Sequence, residues 1–198
     1  MDLGIKMEVE EEMEVETRVE METERLIIRR FVAEDGEAIY QYLSLPEVVA
    51  FEPYDILSKE TCIKEALLRQ EEGEQGPFWA VCLKDSGQVI GQIYFNQDGP
   101  EQFRTWEVGY VFNPEFYGQG YATESTRRVI QHGFEEFKAH RITAAANVVN
   151  PASWKLLERL GMRREAHMLQ NATFKRTKDG EPIWVDSYHY AILASEWA

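Results

Sequence analysis

Cysteine, net positive charge and long apolar runs are all scarce in this chain, and each shortage removes a class of protein. Only Cys62 and Cys82 are present in 198 residues, with no Cys-x-x-Cys pair and no adjacent histidine. Neither a disulfide framework nor a zinc site is therefore signalled, and both are expected to be buried free thiols. His132, His140, His167 and His189 share no metal-ligand spacing, so no metal is expected. Lysine and arginine total 21 against 35 acids, a net charge of −14, which makes nucleic acid a poor partner. No apolar run approaches the ~18–20 residues that span a bilayer, and the N-terminus is acidic where a secretory signal is basic and then apolar. A cytoplasmic protein without a membrane partner is the expectation.

What is present is sharply divided. Ten acids stand in the first 24 residues against only Lys6 and Arg18, and Glu alternates with Met or Val from Glu8 to Glu20. Like charges beside short apolar residues predict a disordered acidic extension over 1–22, with Met21 as the functional start and residues 1–20 dispensable. The remainder, 23–198, has the length of one domain.

Periodicity supplies the elements of that domain. Leu26–Phe31 reads as a strand, and Ala33–Leu43 as a helix with Ala38, Ile39, Tyr42 and Leu43 on one side. Pro46 and Pro53 interrupt regular structure. Ser58 is suited to cap a helix that ends before Gly73. Phe78–Leu83, Val89–Phe95 and Thr105–Phe112 read as consecutive strands, followed by a glycine turn, a helix, a strand over Ile142–Val148 and a helix from Asn150. Arg163–Gln170 and Ile183–Leu193 complete an antiparallel pair. Helices around a mixed sheet follow from this order, an α/β (α+β) architecture.

The most informative run is Asn113-Pro-Glu-Phe-Tyr-Gly-Gln-Gly-Tyr-Ala-Thr-Glu124, which sets two glycines between a strand and an amphipathic helix. Gly118 and Gly120 can take positive φ and expose bare backbone, so the free N–H groups from Gly118 through Gln119, Tyr121 and Ala122 to Thr123 can converge on an anion. The plain alternative is a tight turn and nothing more. A Walker loop is excluded because Tyr121-Ala-Thr-Glu124 follows where Lys-Ser/Thr is needed. A dinucleotide fingerprint fails as well: Thr123 holds the third small position, and the next strand ends in Asn147-Val-Val-Asn150 without an acid.

Together with Asn150-Pro-Ala-Ser-Trp-Lys-Leu-Leu-Glu-Arg-Leu-Gly-Met162, this run resembles the GNAT superfamily of acyl-CoA-dependent N-acyltransferases, in its ribosomal-protein N-terminal (RimJ/RimL-like) branch. The similarity extends from about Thr23 to the C-terminus, opening on Glu24-Arg-Leu-Ile-Ile-Arg29 and closing on Trp184-Val-Asp-Ser-Tyr-His-Tyr190. It implies a mostly antiparallel central sheet splayed between two parallel strands and flanked by helices, with acetyl-CoA in the opening. Backbone around Tyr110, Val111 and Phe112 would pair with the pantetheine arm. The diphosphate would meet the helix start near Gly120, where the macrodipole favours negative charge. Tyr117 stands where family members often carry a basic or polar residue, so backbone donors must do most of the anchoring.

Acetyl transfer requires a neutral amine, a polarised carbonyl and a protonated leaving thiolate. Glu107, in the strand bordering the cofactor, is the candidate proton relay, with a solvated or ion-paired carboxylate as the other reading. A backbone N–H of Val111 or its neighbours can polarise the carbonyl. Asn150 is a fitting N-cap ahead of Pro151, and the resemblance adds contact with the pantetheine or acetyl region. Ser153 would face the thiol and supply its proton. Many superfamily members place a tyrosine acid at the position of Leu157, so Ser153, a water or direct thiolate release must replace it here. Phe51, Glu52 and Tyr54 are the candidate acceptor lining, with a loop over Asn171–Glu181 opposite.

The function implied is acetyl transfer to a primary amine, a protein N-terminal α-amine first, with a polyamine or aminoglycoside as alternatives. A CoA-binding sensor with little catalysis is the reading from a different class. The acidic surface suits a basic acceptor, and the chain is expected as a monomer or as a homodimer through its C-terminal strands.

Overall fold

The computed structural model describes residues 19–197. Its eight strands form one sheet in the order β1-β2-β3-β4-β5-β6-β8-β7. They are β1 (Val19–Glu22), β2 (Leu26–Arg29), β3 (Phe78–Leu83), β4 (Val89–Asp98), β5 (Thr105–Phe112), β6 (Arg141–Asn147), β7 (Arg163–Arg176) and β8 (Pro182–Leu193). Every neighbouring pair is antiparallel except β5 and β6, which run parallel.

Alternation along the strands sorts side chains onto two faces, each with its own core. On β3, Trp79 and Val81 enter one core while Ala80 and Cys82 enter the other. The second core is closed by α1 (Gly36–Leu43) and α3 (Lys59–Glu72), through Ile39, Tyr42 and Leu43 from α1 and Cys62 and Ala66 from α3. The first is closed by α4 (Tyr121–Glu135) and α5 (Pro151–Arg159), through Val129 and Ile130 and through Leu156 and Leu157. Gly133 lets α4 lie directly on the sheet, since a Cβ there would sit 2.4 Å from the Phe95 ring. Ser58 caps α3 as its position suggested, its hydroxyl accepting from the Thr61 amide.

Three local expectations are corrected. β1 lies inside the stretch expected to be extension: it pairs with β2, buries Met21 to 2 % exposure and carries Glu20 in an ion pair with Arg30. The ordered domain thus includes residues 19–22, and deletion through residue 20 would cut into a strand. Residues 1–18 lie outside the described residues. The chain after Pro46 is not irregular throughout, because α2 (Pro46–Val49) uses that proline at its first turn. The segment expected as a loop over Asn171–Glu181 is strand as far as Arg176, with only the turn beyond it. Register shifts between Met168 and Ala172 hid the alternation that would have marked it.

Candidate active site

The site is built on an interruption in the sheet. The β5–β6 ladder holds for Thr105, Trp106 and Glu107 opposite Arg141, Ile142 and Thr143, and then stops. Beyond it the backbone direction of each strand follows from its other neighbour. Asn113 donates to the Ile90 carbonyl, and the β4–β5 register is unbroken, so Glu107, Gly109 and Val111 direct their polar groups to β4. Tyr110 and Phe112 therefore direct theirs toward β6 across the opening. By the same reasoning Ala194, donating to the His140 carbonyl, sets Ala144 and Ala146 toward β8 and leaves Ala145 facing the opening. This corrects the expectation for Val111, whose amide belongs to the β4 ladder. Its side chain still lines the site, but the free amides on β5 are those of Tyr110 and Phe112.

On the side of α4 and α5 a groove of about 610 Å³ runs from this opening to the glycine turn. Gly118 and Gly120 have φ of 76° and 85°, and no atom of the described residues lies within 4 Å of where a Cβ of Gly118 would stand. The amides of Gly120, Tyr121, Ala122 and Thr123 donate to no acceptor among the described residues. They open a 15-residue helix, so uncommitted donors and the positive end of its dipole coincide. Tyr117 flanks them, more than half exposed. Gln119 does not line the groove; its carbonyl instead accepts from the Arg25 guanidinium at 3.0 Å.

At the opening, the Asn150 side chain caps α5 by accepting from the Ser153 amide at 3.3 Å. The Tyr110 hydroxyl donates to the Ser153 carbonyl at 2.9 Å and lies 3.1 Å from the Ser153 hydroxyl. Leu157 is 1 % exposed. A phenol is thus present beside Ser153 after all, delivered by β5 rather than by α5. Burial pushes its pKa up, so it holds its proton at neutral pH.

Across the sheet, on the side of α1 and α3, lies a cavity of about 510 Å³. Phe51, Glu52 and Tyr54 form one wall, and Asn171, Ala172 and Phe174 from β7 another. The groove and the cavity share Phe51, Glu52, Tyr110, Val111, Asn150 and Ser153. Glu107 lines only the cavity. It stands four positions before Val111, or ~13 Å along an extended strand, so it sits at the closed end of the opening. Its pKa is raised by burial and then by Asp98, against a lowering by His189. Glu52, at the junction, is pushed up to about 7 by burial, against lowering contributions from the Tyr54 hydroxyl and Lys175. Burial also raises Tyr54, whose hydroxyl has no well-formed hydrogen bond within the described protein.

The sequence profile of the acetyltransferase (GNAT) domain matches residues 25–163. This chain belongs to the GNAT acetyltransferase family. It is 34 % identical over 175 residues to the uncharacterized N-acetyltransferase YnaD of Bacillus subtilis, covering 88 % of this chain and 97 % of that protein. The crystal structure of a GNAT-family acetyltransferase from Bacillus anthracis superposes with a TM-score of 0.75 at 31 % identity, over 91 % of this chain and 99 % of the other. The spermidine N-acetyltransferase of Vibrio cholerae, solved with CoA and spermine, shares the fold at a TM-score of 0.72 and 19 % identity, over 88 % and 98 % of the two chains. This chain is accordingly an acyl-CoA-dependent N-acetyltransferase.

The residues of this acetyltransferase fit a coenzyme A donor. Bare amides at Gly120–Thr123 suit a diphosphate, and the unpaired backbone of Tyr110, Phe112 and Ala145 suits an amide-bearing arm laid along the opening. Sequence reading missed Ala145 because a strand alanine carries no chemical signal. It also missed Arg159, which lines the groove and reaches Thr123 Oγ1 at 3.4 Å, and the part played by Arg25. The position of Arg25 within Glu24-Arg-Leu-Ile-Ile-Arg29 was the available clue. Among the described residues no group of three His, Cys, Asp or Glu side chains could hold a metal, and no helix is long and apolar enough to cross a membrane.

Proposed function

We propose that this acetyltransferase delivers acetyl to a primary amine that occupies the cavity on the α1/α3 face, while the donor lies in the groove on the other. The observation carrying this reading is the shared wall, since Glu52, Tyr110, Asn150 and Ser153 border both spaces where amine and thioester would meet. Acetyl-CoA supplies an activated acyl group. Everything else is positioning and proton management by the chain.

Glu52 receives the proton of the incoming ammonium. Its carboxyl, raised to about 7, is a base matched to neutral pH and stands at the junction. Glu107, ~13 Å along β5 from Val111, is placed to attract and orient a cation rather than to touch the reacting nitrogen. The Tyr110 or Phe112 amide polarises the carbonyl oxygen. The Ser153 hydroxyl, 3.1 Å from the Tyr110 phenol, donates a hydrogen bond to the departing sulfur, and that thiolate takes up the proton that the newly acylated nitrogen releases. The groove contacts proposed are those of Tyr117, Gly118, Gly120, Tyr121, Ala122 and Thr123, with Asn150 holding the α5 end.

Release of free thiol from acetyl-CoA, with mass spectrometry of the acceptor, tests the reading directly. Binding of acetyl-CoA without acetylation of any primary amine would remove the transfer role.

A further inference from the structure

Resting on that transfer reading, we infer that the acceptor is a compact primary amine with an aromatic or branched apolar body and no carboxylate, not a protein N-terminus. Four observations carry this. At about 510 Å³ the cavity falls within the ~300–1,000 Å³ of small-molecule sites. Its walls bring in the rings of Phe51, Tyr54, Phe78, Tyr94, Tyr110 and Phe174, surfaces that accept flat apolar groups and cations alike.

Its charge is one-sided. Glu52 and Glu107 line it, and among the described residues no lysine or arginine does. Two cations stand near: Lys175, whose charge reaches Glu52 but whose ammonium is committed to the Tyr54 carbonyl and Asp55, and Arg69, which lies behind the wall, donating to Gln92 Oε1 at 2.8 Å and stacked over Phe31 and Phe78. The same oxygen accepts from the Tyr42 hydroxyl, so Gln92 is fixed in place as a screen. On the β7–β8 wall three polar groups are engaged with one another: Ser187 donates to Asn171 Oδ1 at 2.9 Å, and His189 lies 3.1 Å from the Ser187 hydroxyl. An ammonium is welcome in such a cavity and a carboxylate is repelled.

The two walls are also tied together at the surface. Lys175, next to Phe174 on β7, donates to the Tyr54 carbonyl at 2.6 Å and to Asp55 Oδ1 at 2.9 Å. A bridge between these walls restricts the room for a polypeptide continuing away from its N-terminal amine, whereas a small amine fits within the cavity.

Four acceptors that differ by one feature at a time separate the possibilities: 2-phenylethylamine, phenylalanine, phenylalaninamide and a C-terminally amidated tripeptide beginning with phenylalanine. Thiol release from acetyl-CoA by the full chain gives kcat/KM for each. The expected order puts 2-phenylethylamine first and phenylalanine about 10²-fold lower, because like charges facing one another cost several kcal/mol. The tripeptide should fall at least tenfold below the amine, and Lys175→Met should narrow that gap. A tripeptide that matches or exceeds 2-phenylethylamine overturns the inference, as does phenylalanine that equals it. Turnover of none of the four by a chain that binds acetyl-CoA overturns it too. Failure to bind acetyl-CoA would instead strike the transfer reading beneath it.

Discussion

Replacing Arg25 by alanine should weaken the grip on the donor's diphosphate while sparing the rest of the donor. The Arg25 guanidinium holds the start of α4 from outside: Nε and Nη2 donate to Glu124 Oε2 at 2.8 and 2.6 Å, and Nη1 donates to the Gln119 carbonyl at 3.0 Å. The charge also lies 4.4 Å from the Tyr121 ring centroid. Thr23 completes the arrangement by donating to Glu124 Oε1 at 2.6 Å. The Arg25 side chain is 43 % exposed, so the contacts are discounted for solvent screening. An exposed forked ion pair contributes up to ~1 kcal/mol and an exposed cation–π contact ~0.5–1 kcal/mol. A loss of about 1–2 kcal/mol corresponds to ~5- to 30-fold in affinity. Calorimetric titration with CoA should show that loss for Arg25→Ala, and Arg25→Lys, which keeps charge but not the fork, should recover only part. The discriminating measurement is kcat/KM with S-acetylpantetheine, a donor without diphosphate, which should change less than twofold. Unchanged CoA affinity, or equal losses with both donors, would refute the reasoning.

Glu52→Gln should abolish a rising limb of kcat/KM centred near pH 7, the value to which burial pushes the carboxyl; a variant that keeps the wild-type limb would clear Glu52 of proton transfer. The same shift acts on stability. Because the folded-state pKa is raised, the contribution is present at low pH and lost as pH rises through about 7. Thermal melts should therefore find Glu52→Gln more stable than wild type at pH 8 and indistinguishable from it at pH 4. Ser153→Ala should lower kcat ~10-fold or more with little change in acetyl-CoA affinity, and Tyr110→Phe should act in the same direction; an unchanged single-turnover rate in Ser153→Ala would remove its role at the departing sulfur. Gly120→Asp adds a side chain at φ 85° and a negative charge beside the free amides, so CoA binding should fall at least ~10²-fold, and wild-type affinity would count against the cradle.

The parts of the site legible in the sequence were those written in local rules. Gly118 and Gly120 mark the turn because positive φ is needed there, and Asn150 before Pro151 marks a capped helix whatever lies around it. The sheet faces were readable from alternation, as at Trp79 to Cys82 on β3. What stayed hidden depends on long-range pairing. That Val111 faces β4 while Tyr110 faces the opening is fixed by one hydrogen bond from Asn113 to Ile90, which no local pattern reveals. The Tyr110 phenol beside Ser153 joins residues 43 apart in sequence, and the Lys175 bridge to Asp55 joins residues 120 apart. Strand β1 escaped notice because an acidic segment alternating with Met and Val has the composition of a solvated tail. Only pairing with β2 shows that Met21 is core.

A sheet joined across its middle by only three residue pairs is, mechanically, two plates sharing a short seam. One plate carries β1 to β5, and the other carries β6, β8 and β7. A guest that bonds to both free edges completes the weave, so occupancy and rigidity should rise together. At a hundred times the dissociation constant such a guest adds ~2.7 kcal/mol to the folded state. Slowed amide exchange should then concentrate at Tyr110, Phe112 and Ala145 and spread outward from that line, making the donor a splint for the scaffold as well as a reactant.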